Sequence, residues 1–216
     1  MAVTTAEFQA MTPQPYSQAR AQLQTGDILL FSSKGGFSAL IEHFTNSVWS
    51  HAGLVWRVGD PAFDRVLILE SIENLGIRAV SASNRFNGTA AAPAPYDGGV
   101  LVVRHRKLPQ PLSPGQVVEM TRFGIDHLGF PYDAEELAKI AARIAAGLAN
   151  IILPGHLEPT NSFICSEFVA KCYDAVGVDL APDREGYMAP ADIAADPAVF
   201  AVVRLCPDPP PAPAAV

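Results

Sequence analysis

The chain has 216 residues, 49% hydrophobic and 17% charged, with a formal net charge of −7. That length holds one domain with a sizeable core and falls short of two, and the composition is that of a folded chain. The negative balance argues against a nucleic-acid surface, and three cysteines, an odd number, do not make a disulfide framework.

Residues 1–20 are polar and contain proline, which predicts loose attachment, with a short helix over 17–24. No basic stretch followed by an apolar one opens the chain, so no secretory signal is expected, and no apolar run reaches the length of a stable membrane span. A reducing, cytoplasmic setting follows as the default. "GDILLF" (26–31) reads as a turn and then a strand, and Phe37, Leu40, Ile41 and Phe44 have helical spacing. "HAGLVWRV" (51–58) and "RVLILESI" (65–72) are strand-like runs joined by a Gly-Asp-Pro connection, which predicts a hairpin. Strands are also expected over 76–83 and 98–106, with a surface loop between them.

A helix is expected from Pro114, capped by Ser113, and a second one opens with the D-x-x-E of Asp133 and Glu136. Leu137, Ile140, Ile144, Leu148 and Ile151 form one stripe of that second helix, suited to core packing or to contact with a lid or lipid. A third helix covers 163–176, with Gly177 as its stop, and a last strand covers 199–205. The sum is a single α+β domain over 1–206, followed by a disordered Pro-rich tail over 207–216.

Two cysteines, Cys165 and Cys172, lie on the third helix. Seven residues of helix separate them by about 10.5 Å, and a disulfide requires Cα atoms within about 7 Å. They do not pair, and no CxxC or HExxH motif supplies metal ligands, so neither a metal nor another cofactor is expected. Cys172 sits mid-helix on the apolar stripe of Phe168, Val169 and Val176 and reads as a small buried hydrophobe. Cys165 lies in the first turn, where free N–H groups and the helix dipole favour a thiolate. Position alone leaves it either a nucleophile or a core residue.

A nucleophilic thiol needs a base and a group that orients the base. Of five histidines, His43, His105, His127 and His156 lie in helical, strand-end or loop contexts, whereas His51 opens the first hairpin strand. Glu70 ends an apolar run on the second strand and, if the hairpin forms, returns beside His51. A one-residue slip in register would put the two on opposite faces, and the pattern leaves that register open.

The ordered set "GDILLF", "SHAGLV", "LILES", "FPYD", "FICSEFVAKCY" and "MAPADI" resembles the circularly permuted papain-like cysteine hydrolases, relatives of the NlpC-type cell-wall amidases, in the branch typified by YiiX and YaeF. It runs from about 26 to 205. The resemblance implies a small antiparallel sheet or barrel packed against helices, with the nucleophile at a helix N-terminus. It implies Cys165 as nucleophile, His51 as general base and Glu70 as the orienting group. It also implies that Tyr132, Ser50 and Ser166 line the substrate pocket. The activity implied is cleavage of an amide in a small-molecule, peptide or lipid substrate through a thioester. A lipid-directed acyltransferase or thioesterase, or a catalytically silent binding module, would use the same fold. The 134–153 segment matches no pattern of that family, and oligomeric state is not encoded in any feature of the chain.

Overall fold

The computed structural model describes residues 2–32, 47–59, 63–91, 94–132, 163–180 and 188–210. The helices expected over 37–44 and 135–151, together with His43 and His156, lie outside the described residues. So does the end of the tail, 211–216.

Seven strands form one mixed sheet: β1 (Gln14–Pro15), β2 (Ile28–Ser32), β3 (His51–Val58), β4 (Arg65–Ile72), β5 (Gly76–Ser81), β6 (Gly99–His105) and β7 (Val199–Cys206). Their order is β1-β7-β6-β2-β3-β4-β5; β1 runs parallel to β7 and every other neighbour is antiparallel. The expected small antiparallel sheet or barrel is therefore an open, seven-stranded mixed sheet, because β1 and β5 end at opposite edges without meeting. Among the described residues the helices are α1 (Thr5–Ala10), α2 (Tyr16–Ala19, continued by a 3-10 turn over Arg20–Gln22), α3 (Ala82–Asn87), α4 (Pro114–Asp126), α5 (Cys165–Asp174) and α6 (Pro190–Ala195). None among the described residues is long and apolar enough to cross a membrane.

Alternation along the central strands feeds two cores, one on each face of the sheet. Leu30, Ala52, Leu54, Leu69 and Leu101 face α5, where Phe168, Val169 and Cys172 pack on them, all fully buried. Leu29, Phe31, Val55, Ile68 and Val102 face the other way, against Tyr16, Ala82 and Phe86. Each buried large side chain contributes about 1.5–3 kcal/mol. That burial, more than intrinsic propensity, holds a ten-residue helix such as α5 in place.

The first twenty residues depart from the expectation of loose attachment. Thr4 and Glu7 form a capping box that starts α1, with Glu7 N–H donating to Thr4 Oγ1 (3.1 Å) and Thr4 N–H to Glu7 Oε2 (3.0 Å). The helix exists to bury Phe8, which meets Trp49 edge-on at 4.8 Å, while Arg204 Nη1 reaches the carbonyls of Phe8, Gln9 and Met11. Val3 N–H donates to Ala194 O (2.7 Å), and Tyr16 is also buried. Isolated apolar residues among polar ones carry no periodicity, which is why the pattern did not disclose them. The start of the tail is likewise tied down, Asp208 accepting from Ser17 N–H (2.7 Å) and from Asn87 Nδ2 (2.8 Å).

One tight approach frames the end of β4 and β5. Asn74 and Gly76 adopt φ of +65° and +71° in the connecting turn. A Cβ on Gly76 would come within 2.1 Å of Phe130 O, so glycine lets the chain after α4 pair with β5 through Ile77 N–H to Phe130 O (2.9 Å).

Candidate active site

The hairpin fixes the relation that the sequence pattern left open. β3 and β4 pair in a register that matches Leu54 with Leu69 and Val58 with Arg65. One step further, Gly53 stands opposite Glu70, so His51 and Glu70 are diagonal neighbours on the same face. Gly53 makes the diagonal usable: a Cβ there would lie 2.8 Å from Ile68 Cγ2 and 3.6 Å from Glu70 Cβ, in the space the carboxylate crosses. The Glu70 carboxylate reaches His51 with Oε2 2.9 Å from Nε2.

The β3–β4 ladder stops at Leu54–Leu69 although both strands continue to His51 and Ile72. The chain leading into α5 enters at this parting, where Ser71 Oγ donates to Phe163 O (2.7 Å). Ala52 N–H, released from cross-strand pairing with β4, favours the ionised form of the Cys165 sulfur, as does Ser166 N–H. A thiol carried by a helix on one face of the sheet thereby meets an imidazole on the other. The helix starts at Cys165, and Glu167 at its third position takes the Ile164 N–H (3.3 Å), the carboxylate lying where the dipole favours it.

Cys165 and His51 face each other closely enough for each to shift the other's ionisation. Nε2 is occupied by Glu70, so Nδ1 is the ring nitrogen left to the thiol. Burial alone would push the His51 imidazole down, yet the facing Cys165 sulfur and then Glu70 raise it to about 9. Burial opposes ionisation of Cys165 too, but the His51 cation and the two amide N–H groups hold its thiol below the ordinary value. Both shifts favour transfer of the Cys165 proton to His51. Cys172 has only burial acting on it, which pushes its thiol far up and leaves it inert.

Glu70 is fully buried, at 0% exposure, and burial alone would raise its carboxyl. His51, Arg85 and Arg78 outweigh that and bring it down to about 2. Arg78, directly across on β5, donates to Oε1 from Nε (3.0 Å) and Nη2 (2.7 Å). Arg85 on α3 holds its Nε 3.7 Å from Oε2, beyond hydrogen-bond reach. A carboxylate that stays ionised accepts only, so His51 Nε2 carries a proton and donates it. Neither arginine nor Gly53 was singled out from the sequence. The available signal was Glu70 itself, since a buried carboxylate demands a cation on the neighbouring strand, and Arg78 falls on the strand expected over 76–83.

The remaining expected site residues fall as follows. Ser50 is buried just before His51, with N–H and Oγ both directed to Phe31 O at 2.9 and 3.2 Å. Ser166 is fully buried and its hydroxyl donates to Met188 O, so the group it presents towards the thiol is its backbone N–H. Tyr132 is half-buried, two residues beyond the Phe130 contact with β5. His105 lies on the far strand against Asp196 (3.6 Å), and His127 stacks on Phe123 (4.1 Å), its Nδ1 bonded to Phe123 O (2.7 Å). Neither approaches Cys165 through any contact among the described residues.

With this geometry in hand, comparison with solved structures is informative. The chain matches the crystal structure of the metalloprotein YiiX from Escherichia coli O157:H7 with a TM-score of 0.58, covering 86% of this chain and 99% of that one. The two share a fold. Sequence identity is 18%, so the likeness speaks to architecture alone. No family model matches the sequence, and no curated protein matches it.

Proposed function

We propose that this chain is a cysteine hydrolase of the circularly permuted papain-like type, cleaving an amide through Cys165, His51 and Glu70. One observation carries the reading: Cys165, in the first turn of α5, is electrostatically coupled to the His51 imidazole, whose Nε2 is held 2.9 Å from a fully buried carboxylate. A binding module has no use for that arrangement, because burying Glu70 costs several kcal/mol and that cost is offset only by its cationic partners.

In the mechanism we infer, the Cys165 thiolate attacks the carbonyl carbon, forming a C–S bond while the carbonyl electrons move onto oxygen. The Cys165 N–H, a first-turn donor with no intrahelical acceptor, faces that oxyanion. The C–N bond then breaks as His51 transfers its Nδ1 proton to the leaving amine, giving a thioester and a neutral imidazole. Water, deprotonated by the same nitrogen, adds to the thioester; collapse expels the thiolate and restores the ion pair. Glu70 holds the Nε2 proton throughout, so the ring cannot turn or change tautomer. YiiX is described as a metalloprotein. Among the described residues here no group of three or more His, Cys, Asp or Glu side chains is placed to hold a metal ion, and no step is routed through one.

The test is an acyl-enzyme trap. An activated ester such as p-nitrophenyl acetate should release a burst of one nitrophenolate per chain, with one acetyl group found on Cys165 by peptide mass spectrometry. The burst should vanish in Cys165→Ala and in His51→Ala. Acetylation spread over surface lysines, or a burst that survives Cys165→Ala, would sink the reading.

A further inference from the structure

Arg78 and Arg85 supply two cations where the triad supplies one carboxylate for them. His51 and Cys165 cancel as an ion pair, so the cluster of Cys165, His51, Glu70, Arg78 and Arg85 carries a net charge of +1. Arg78 spends Nε and Nη2 on Glu70 Oε1. Its side chain remains 34% exposed, and Nη1 makes no hydrogen bond to a described residue. Arg85 is the less expected of the two. It makes no hydrogen bond among the described residues, and its Nε is buried without an acceptor. Besides the 3.7 Å ion pair with Glu70, what holds it is stacking, with the guanidinium 5.0 Å from the Phe31 ring centre and 4.8 Å from that of Tyr96.

A buried guanidinium Nε without an acceptor is costly if the only task of Arg85 is to neutralise Glu70, since Arg78 already does so with two short bonds. The arrangement instead leaves the outer Nη donors of a rigid, aromatic-backed fork facing solvent, with the side chain 22% exposed. Planar forks of this kind match the oxygens of carboxylates and phosphates, and a stacked one loses little freedom on binding. Its position is close to the chemistry: Arg85 is one carboxylate away from His51, and Phe31, which supports it, also contacts the His51 ring at 5.2 Å.

We propose that Arg78 and Arg85 form an oxyanion subsite beside the triad, and that the substrate is an acyl compound bearing a carboxylate or phosphate group a few bonds from the carbonyl that Cys165 attacks. The inference rests on the hydrolase reading above. It assigns a charge to the substrate that the triad by itself does not specify. The subsite remains positively charged in the thioester, where thiolate and imidazolium are both neutralised, so it grips the acyl-bearing intermediate as well as the free substrate.

The test uses affinity alkylators of the full chain. N-iodoacetyl-β-alanine and N-iodoacetyl-2-aminoethylphosphonate carry the two anions a short chain away from the electrophilic carbon, and N-iodoacetyl-β-alanine methylamide is the neutral counterpart. Rate constants at Cys165 are read by peptide mass spectrometry, with Cys206 as internal reference. The wild type should favour at least one anionic probe over the neutral one by tenfold or more, about 1.4 kcal/mol. The preferred anion names the group. That ratio should collapse towards unity in Arg85→Gln, persist in part in Arg85→Lys, and weaken with salt. A wild-type ratio near unity for both anions, or a ratio that Arg85→Gln leaves intact, overturns the subsite. If the neutral probe modifies Cys165 no faster than Cys206, the hydrolase reading itself fails, so the two failures are distinguishable.

Discussion

Glu70→Gln is the substitution whose outcome the geometry determines most tightly. In the native site three donors converge on one carboxylate: Arg78 Nε and Nη2 on Oε1, and His51 Nε2 on Oε2. Glutamine has the same shape but only one oxygen. If that oxygen stays with the two Arg78 donors, the amide NH2 faces His51 Nε2 and forces the tautomer with its proton on Nδ1. That proton then points at the thiol, and the nitrogen meant to accept the cysteine proton is blocked. Tautomer reversal of this kind costs roughly 10³–10⁴ in turnover. The charge lost matters as well, because Glu70 is among the groups that raise His51 to about 9. The acylation rate of Glu70→Gln should fall by about three orders of magnitude, and the alkaline limb of its pH profile should move down from about 9 by at least a unit. Stability should drop by roughly 3–5 kcal/mol, the loss expected on breaking a buried charge cluster. Circular dichroism, together with Cys165 alkylation at high pH, verifies that the fold and access survive. An acylation rate within threefold of wild type, with the alkaline limb unmoved, would refute the claim that Glu70 orients and charges the imidazole.

Gly53→Ala places a Cβ 2.8 Å from Ile68 Cγ2, so β3 and β4 must shift apart; about 1–3 kcal/mol of stability and much of the acylation rate should go together, and full activity would show the diagonal to be less constrained than described. Cys172→Ala should cost about 1 kcal/mol and leave the acyl burst at one per chain, whereas loss of the burst in a folded protein would contradict its role as packing. Phe8→Ala should lower stability by about 3–4 kcal/mol in a thermal melt, and a negligible shift would restore the expectation of a loose N-terminus. The pH dependence of stability has a defined sign. Glu70, lowered from 4.5 to about 2, contributes stability that is present above about pH 4.5 and lost as pH falls through 2. His51 is raised to about 9 chiefly by the Cys165 sulfur whose proton it holds, so the two shifts largely cancel in bound protons above pH 6.5 and urea midpoints should decline on the acid side.

What the sequence disclosed was local and periodic. The β3–β4 hairpin appears with the limits expected from "HAGLVWRV" and "RVLILESI", because alternation and a Gly-Asp-Pro break are strong signals over short range. The burial of Cys172 followed from its place mid-helix, whereas a first-turn position alone left the role of Cys165 open. The register between His51 and Glu70 did not follow, since alternation alone fits two registers one residue apart. Nor did the place of Arg85, whose partners are Phe31, Tyr96 and Glu70 on three separate parts of the chain. The open sheet was hidden for a related reason: β1 is two residues long and pairs with β7 at the opposite end of the chain.

The central claim is that Cys165 is a thiolate held by His51 while the other thiols are not. The direct measurement is the rate of iodoacetamide alkylation of each cysteine between pH 4 and 10, read by peptide mass spectrometry. The account predicts that Cys165 already reacts at pH 6, at least tenfold faster than Cys206, that its profile changes as His51 loses its proton near 9, and that Cys172 reacts last. A Cys165 rate that rises only in the alkaline range, in step with Cys206, would contradict it.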